Sequence, residues 1–258
     1  FLQDNCATRV RDVMVRVFGD TLVLPEKELD LSYRDVLKPY FRPMPWTRFG
    51  ANLLLGLPAD RKLDSWHAMF LPDNIIKVFD SAKLKYNDGQ EENLVISTTK
   101  IMDNDFEIGK KPWFNPTLVF WSLLIVFIVF SFFELKKKIV YKGVDFVLYF
   151  ILGIVGILLL LFWFVTDHTP PKWNLNLLWA FPTHIWFAFV YLKNKKLKLI
   201  KIYSLIFGLL NIMLVITYPI FPQDYDYALI PFFLLIGGRM LKRYWEIRKK
   251  NIWVQQIL

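Results

Sequence analysis

Residues 116–165 read PTLVFWSLLIVFIVFSFFELKKKIVYKGVDFVLYFILGIVGILLLLFWFV, and this stretch decides the fold. It holds two apolar runs, each close to the roughly 20 residues needed to cross the hydrocarbon core of a bilayer, on either side of a lysine-rich break. The first run, Phe114–Phe133, carries no charged side chain, and the second is Val144–Val165. Working outward, three more runs follow. Leu177–Leu192 is shorter and interrupted by Pro182, while Ile202–Phe221 and Ala228–Leu241 complete the set. Residues 113–241 are therefore predicted to form an all-α membrane domain of five transmembrane helices, at 114–133, 144–165, 177–192, 202–221 and 228–241.

The connections alternate in charge. Lys136, Lys137, Lys138 and Lys142 follow the first run, five lysines from Lys193 to Lys201 follow the third, and six Lys and Arg lie in RMLKRYWEIRKK after the fifth. By contrast, TDHTPPKWNLN holds one lysine and PQDYDY none. Basic loops are retained in the cytoplasm. The tail 242–258 is thus expected to be cytoplasmic and residues 1–112 periplasmic. Trp113, Trp121, Trp163, Trp173, Trp179 and Tyr225 fall near the expected span ends, where amphipathic rings sit at the head-group level. Topology accounts for most of the net charge of +9 and leaves no call for nucleic acid as a partner. The whole chain is 55% hydrophobic, above the roughly 45–50% of soluble domains.

Residues 1–112 are charged and punctuated by proline, and read as an α+β domain. A helix is expected over about Ala7–Phe18, and a short one in LDLSYRDVLKPY capped near Asp30 or Ser32. PMPWTRFGANLLLGLPAD gives a turn, a second apolar helix and a Gly/Pro stop. SWHAMFLPDNIIKVFDSAKLKY is helical on either side of Pro72, with Asp64 or Ser65 as cap. KLKYNDGQEENLVISTTKIM holds two strand-like runs about an Asn87-Asp88-Gly89 turn. These pieces do not assemble a full sheet. Neither a start methionine nor a signal peptide precedes Asp4, so the chain is expected to begin partway into a longer protein, with further strands upstream.

Cys6 is the only cysteine. It stands at the mouth of the first predicted helix, where the backbone dipole attracts negative charge, with Arg9 and Arg11 one turn on. On the oxidising side of a membrane a single cysteine has no partner within the chain, so it is either shielded or used in chemistry. A small buried residue and a nucleophile both remain open readings. A nucleophile needs a base. Of the three histidines, His67 sits between Trp66 and apolar residues and reads as packed or surface. His184 lies within a span. His168 follows Asp167 in the outward loop, where it can orient a lipid, move a proton or cap a span.

Three stretches together resemble a known family: NCATRVRD (5–12), DRKLDSWHAMFLPD (60–73) and TDHTPPKWNLNLLWAFPTH (166–184). The chain resembles the Lnb-type bacterial lipoprotein N-acyltransferases, in which a permuted papain-like (NlpC/P60-related) thiol domain in the periplasm precedes five helices in the inner membrane. The family's cysteine segment, NC-x-TR-x-RD, is matched by Asn5, Cys6, Thr8, Arg9, Arg11 and Asp12. Its histidine segment, which comes earlier in the family's order, has no counterpart here, so the base is expected upstream of residue 1.

The resemblance implies that Cys6 is the nucleophile. It takes an acyl chain from a membrane phospholipid as a thioester and passes it to the α-amino group of a diacylglyceryl lipoprotein. Asn5, Arg9, Asp167, His168, Asn174 and Asn176 are the substrate-binding candidates, and neither cofactor nor metal is implied. A membrane setting suits two acylated substrates, since pulling a tail into water costs ~0.8 kcal/mol per methylene. Two alternatives stand beside this one: a membrane-anchored NlpC/P60-like thiol amidase or peptidase acting on cell-wall peptide, and a non-catalytic membrane assembly subunit.

Overall fold

The computed structural model describes residues 4–101 and 112–255. The chain divides into two compact units, one of Phe1–Pro43 with Ala59–Lys110 and the other of Met44–Pro58 with Lys111–Leu258. In chain order the first stretch holds α1 (Cys6–Phe18), β1 (Leu22–Val23), β2 (Glu28–Ser32) and α2 (Tyr33–Leu37). Then come α3 (Pro45–Leu54), β3 (Lys62–Asp64), α4 (Ser65–Ala68) and α5 (Pro72–Asp80), followed by β4 (Lys83–Lys85) and β5 (Glu91–Asn93). The long helices are α6 (Pro116–Lys137), α7 (Lys142–Phe164), α8 (Thr183–Lys193), α9 (Leu197–Thr217) and α10 (Leu229–Gln255).

The first unit is α+β. The hairpin about Asn87-Asp88-Gly89 forms as β4 and β5, closed at Lys85 and Glu91, and Gly89 takes the positive φ of 83° that the turn demands. β1 adds on the other side of β4, and β2 pairs separately with β3, so the described strands make two small antiparallel sheets. Of the two caps expected for the helix in LDLSYRDVLKPY, Ser32 is the one observed, and Asp30 lies within β2. The helix begins at Tyr33 because Ser32 caps it: its Oγ accepts the Asp35 N–H, while the Asp35 carboxylate accepts the Ser32 N–H. Two apolar clusters form around neighbouring residues. Phe70 joins Tyr33, Leu63 and Ala68, and Met69 joins Ala7, Ile75 and Phe79. Arg34 is buried beside them, its guanidinium bound to both oxygens of Asp60 at 2.7 and 3.1 Å.

The second unit is helical. Four segments are long and apolar enough to cross a membrane: Pro116–Lys137, Lys142–Phe164, Leu175–Lys193 and Leu197–Ile220. The fifth predicted run is the first half of α10, which is not among the four because Arg239, Lys242 and Arg243 interrupt its apolar stretch. α10 packs against α9 and α6, and α7 against α8. At Gly156 on α7 an added Cβ would lie 2.0 Å from the Ala180 carbonyl oxygen, so only glycine admits the chain there.

The third predicted span is not one helix. A 3-10 turn at Leu175–Leu178 precedes α8, and Pro182 stands at its start. The eleven residues of α8 reach only about 16 Å at 1.5 Å per residue. Irregular backbone is tolerated at such depth only where its polar groups are met within the protein. Here Asn176 does so, taking the Trp179 indole N–H on its Oδ1 and giving its amide to the Leu53 carbonyl.

Charge is buried in the same unit. Arg239 donates to Asp145 at 2.7 Å, to Ser131 at 2.8 Å and to Glu134. Lys242 also reaches Glu134, and the Tyr191 hydroxyl donates to Asp145. This network joins α6, α7, α8 and α10.

One boundary differs from the sequence-based division at 112/113. Residues 44–58 belong with the long helices. Trp46 and Phe49 stack against Phe114 and Phe120, Arg48 pairs with Asp226 at 3.1 Å, and the Gly56 N–H donates to the Pro170 carbonyl at 2.8 Å. A Cβ on Gly56 would come within 2.1 Å of the Lys172 carbonyl oxygen.

Candidate functional site

Asn5 creates the setting of the thiol. Its backbone is extended and its Oδ1 accepts the N–H of Thr8, while the Thr8 hydroxyl accepts the Asn5 N–H at 2.8 Å. That reciprocal cap starts α1 at Cys6, and Asn5 Nδ2 fastens the same point to the Phe70 carbonyl at 2.9 Å. One face of α1, with Ala7, Thr8 and Arg11, is buried. Cys6 lies on the other face and is exposed, in line with the exposed side chains of Val10, Val13 and Val17. Among the described residues nothing packs over the Cys6 side chain. Among the described residues, the N–H groups of Cys6 and Ala7 have no acceptor, as expected of the first turn of a helix.

The two arginines of the motif differ. Arg11 is buried: its guanidinium lies 3.8 Å from the centre of the Trp66 ring, donates to the Trp66 carbonyl and pairs with Asp12 at 2.7 Å. It fixes the start of α4 against α1. Arg9 is exposed and forks onto both oxygens of Asp4 at 2.6 and 2.7 Å. The Arg9 hydrogen bond holds the Asp4 carboxyl below its ordinary range, and Asp4 raises Arg9 in turn. The Arg9 guanidinium is therefore already shared with a carboxylate.

His67 is exposed on α4, and its Nδ1 donates to Asp64 Oδ1 at 2.7 Å, the same oxygen that accepts its backbone N–H. Burial tends to raise the Asp64 carboxyl, but these two bonds outweigh it and the net shift is downward. The bond orients the ring and leaves Nε2 without a partner among the described residues. Nearby, the β1–β2 connection and the Asp64–Trp66 stretch line a cleft of about 820 Å³. A pairing of Asp64 with His67 was not anticipated from sequence; the Asp-x-x-His spacing at a helix start was its signal.

The remaining site candidates belong to the second unit. Asp167 and His168 are exposed in the loop after α7. Asn174 and Asn176 are buried to 1% and 0% exposure. Asn174 Nδ2 donates to the Leu53 and Leu54 carbonyls, its Oδ1 accepts from Asn176 and Gln223, and Asn176 donates to Leu53. These amides hold the C-terminal end of α3. Among the described residues no three His, Cys, Asp or Glu side chains gather as a metal would require.

An exposed thiol on a capped helix of an α+β unit, in a chain whose other half is a bundle of membrane-crossing length, defines a membrane protein with a thiol-bearing domain. The family model described as the Lnb transmembrane domain matches residues 108–251, more than half of the chain, and the protein belongs to that family. No curated protein sequence and no solved structure matches it.

Proposed function

We propose that the protein is a thiol-dependent lipoprotein N-acyltransferase of the bacterial inner membrane. It moves an acyl chain from a phospholipid, through a Cys6 thioester, to the α-amino group of the N-terminal cysteine of a diacylglyceryl lipoprotein. One observation carries the reading: the chain's only cysteine is exposed on the first residue of a capped helix, in a member of the Lnb family. The first half of α10 supplies a fifth crossing, the lysine-rich loops face the cytoplasm, and Cys6 faces the periplasm.

A base removes the Cys6 thiol proton, and the sulfur attacks the carbonyl carbon of a phospholipid ester. The oxyanion that forms is held by the free N–H groups of Cys6 and Ala7. Collapse breaks the ester C–O bond, the leaving alkoxide takes the proton, and a lysophospholipid departs. The lipoprotein's amine nitrogen then attacks the thioester carbonyl. The C–S bond breaks, the amine's proton returns through the base, and an N-acylated lipoprotein is released with Cys6 restored. Asn5 positions the sulfur, and Arg9, freed from Asp4, is available to the donor's phosphate. His168 and Asp167 serve as polar contacts at the membrane surface.

Mass spectrometry of lipoprotein N-termini from cells carrying Cys6→Ser tests the reading. Diacylated, N-unblocked termini are the expected result. Normal N-acylation alongside altered cell-wall peptides would replace this assignment with a thiol amidase, and no change in either would leave a non-catalytic protein.

A further inference from the structure

A groove of about 680 Å³ opens on the second unit where α8 gives way to α9. Its wall is Trp186 of α8 with Leu199, Ile202, Tyr203 and Ile206 of α9, and its mouth is Lys195, Lys196 and Lys198. The α9 residues fall at i, i+3, i+4 and i+7, so they form one apolar stripe about 10 Å long. Trp186, Ile202 and Ile206 are 49%, 49% and 56% exposed, so the stripe is uncovered. The Tyr203 hydroxyl in the wall is already engaged: it donates to His184 Nδ1 at 2.7 Å and accepts from Thr183 at 2.8 Å, because His184 Nε2 donates to the Trp179 carbonyl. Tyr203 is also stacked on Phe187 with centroids 4.0 Å apart, which fixes its ring as a rigid surface.

The mouth has the opposite character. No Asp or Glu occurs between Thr183 and Thr217, and the three lysines form no ion pair among the described residues. α9 starts there without a side-chain cap, leaving the N–H groups of Leu197, Lys198 and Leu199 without acceptors among the described residues. Uncapped N–H groups at the positive end of a 21-residue helix bind anions. The other lysine-rich loop is different, since Lys136 and Lys137 lie in the last turn of α6, where carbonyls face outward. Topology explains why all these loops are basic, but not why one of them opens onto an apolar stripe.

We infer that this groove binds an anionic phospholipid, with the head-group phosphate on Lys195, Lys196, Lys198 and the first N–H groups of α9, and an acyl chain along Trp186, Ile202, Tyr203 and Ile206. A soluble phosphate would use the mouth and ignore the wall, and a lipid without phosphate would use the wall alone. A zwitterionic phospholipid brings its own cation against the lysines, whereas an anionic one satisfies mouth and wall without that repulsion. The inference does not rest on Cys6 chemistry.

The test uses the full chain in detergent and native mass spectrometry, with phosphatidylglycerol and phosphatidylcholine of equal chain length and glycerol phosphate as the chainless probe. The expected result is selective retention of phosphatidylglycerol. Lys195→Gln/Lys196→Gln/Lys198→Gln weakens it on the order of 100-fold, taking each lysine at a membrane surface as a factor of about ten or less. Lys136→Gln/Lys137→Gln/Lys138→Gln removes the same charge and leaves retention unchanged. Trp186→Ala, which keeps every lysine, reduces retention of long chains more than short ones. Equal loss in both triple variants would reduce the effect to general charge attraction and overturn the inference. Glycerol phosphate binding as tightly as the lipid, or a Lys195/Lys196/Lys198 variant that retains lipid normally, would overturn it as well.

Discussion

Arg239→Leu is the sharpest test of how the helical unit is held together. Arg239 is 4% exposed and, among the described residues, is the only cation bonded to Asp145, which is 2% exposed. Its loss leaves Glu134 with Lys242 at 2.7 Å and the Tyr141 N–H at 2.8 Å, so that carboxylate stays compensated. Among the described residues Asp145 keeps only the Tyr191 hydroxyl. The cost is therefore concentrated on one residue, a buried carboxylate without its cation, at about 3–5 kcal/mol. Removing the carboxylate as well should recover most of this. Arg239→Leu/Asp145→Leu forfeits the Tyr191 bond at about 1 kcal/mol and leaves no unpaired charge, so the double variant should be more stable than the single one by about 2–3 kcal/mol. Unfolding in mixed micelles by dodecyl sulfate titration, followed by tryptophan fluorescence, measures both. If the two variants are equally destabilised, or the single one loses less than about 1 kcal/mol, the network does not do what its geometry implies.

Three further outcomes are expected. Asn5→Asp keeps the cap acceptor but loses the donor to Phe70, and should cost about 1–2 kcal/mol, with Asn5→Ala costing about 1 more in thermal unfolding. The Asp35 carboxyl is raised by burial, but hydrogen bonds from Lys38 and Ser32 outweigh this and bring it from 3.8 to about 2. Its contribution is present above pH 4 and lost as pH falls from about 4 through 2, worth at most about 1 kcal/mol after solvent screening, and a melting series with Asp35→Asn should show a shallower acid decline than the native chain. Gly56→Ala drives a methyl into the Lys172 carbonyl and should cost about 1–3 kcal/mol, read as faster proteolysis of the 44–58 segment.

How much of this was legible depended on the range of the forces involved. Hydropathy is local, so the runs at 116–137, 142–164 and 197–220 could be placed to within a few residues. The Asn5 cap and the Asn-Asp-Gly hairpin were equally local. α3 was not legible as part of the helical unit, because ten residues of amphipathic helix look alike in either unit. What decides is a set of amides more than a hundred residues later, reaching the carbonyls of Leu53 and Leu54. The chain partners of Asn174 and Asn176 were illegible for the same reason. An asparagine beside a span end shows that hydrogen bonds will be made there, but not whether the partner is a ligand or the chain itself.

The buried charges carry the opposite lesson. Glu134 ends one apolar run, Asp145 opens the next, and Arg239 interrupts the last, and each was visible as an ionisable residue at or within a span. Such residues are costly in a bilayer and persist where they are paired or functional. Counting charges by loop, as a topology argument does, assigns Arg239 to the basic tail and overlooks it. Pairing them by sign would have linked α6, α7 and α10 before any coordinates, since two buried carboxylates in an apolar bundle require a cation on a neighbouring helix. The contrast with Lys195, Lys196 and Lys198 follows directly. Those lysines have no carboxylate in 35 residues of chain from Thr183 to Thr217 and form no ion pair among the described residues, which leaves them available to an anion such as a lipid phosphate.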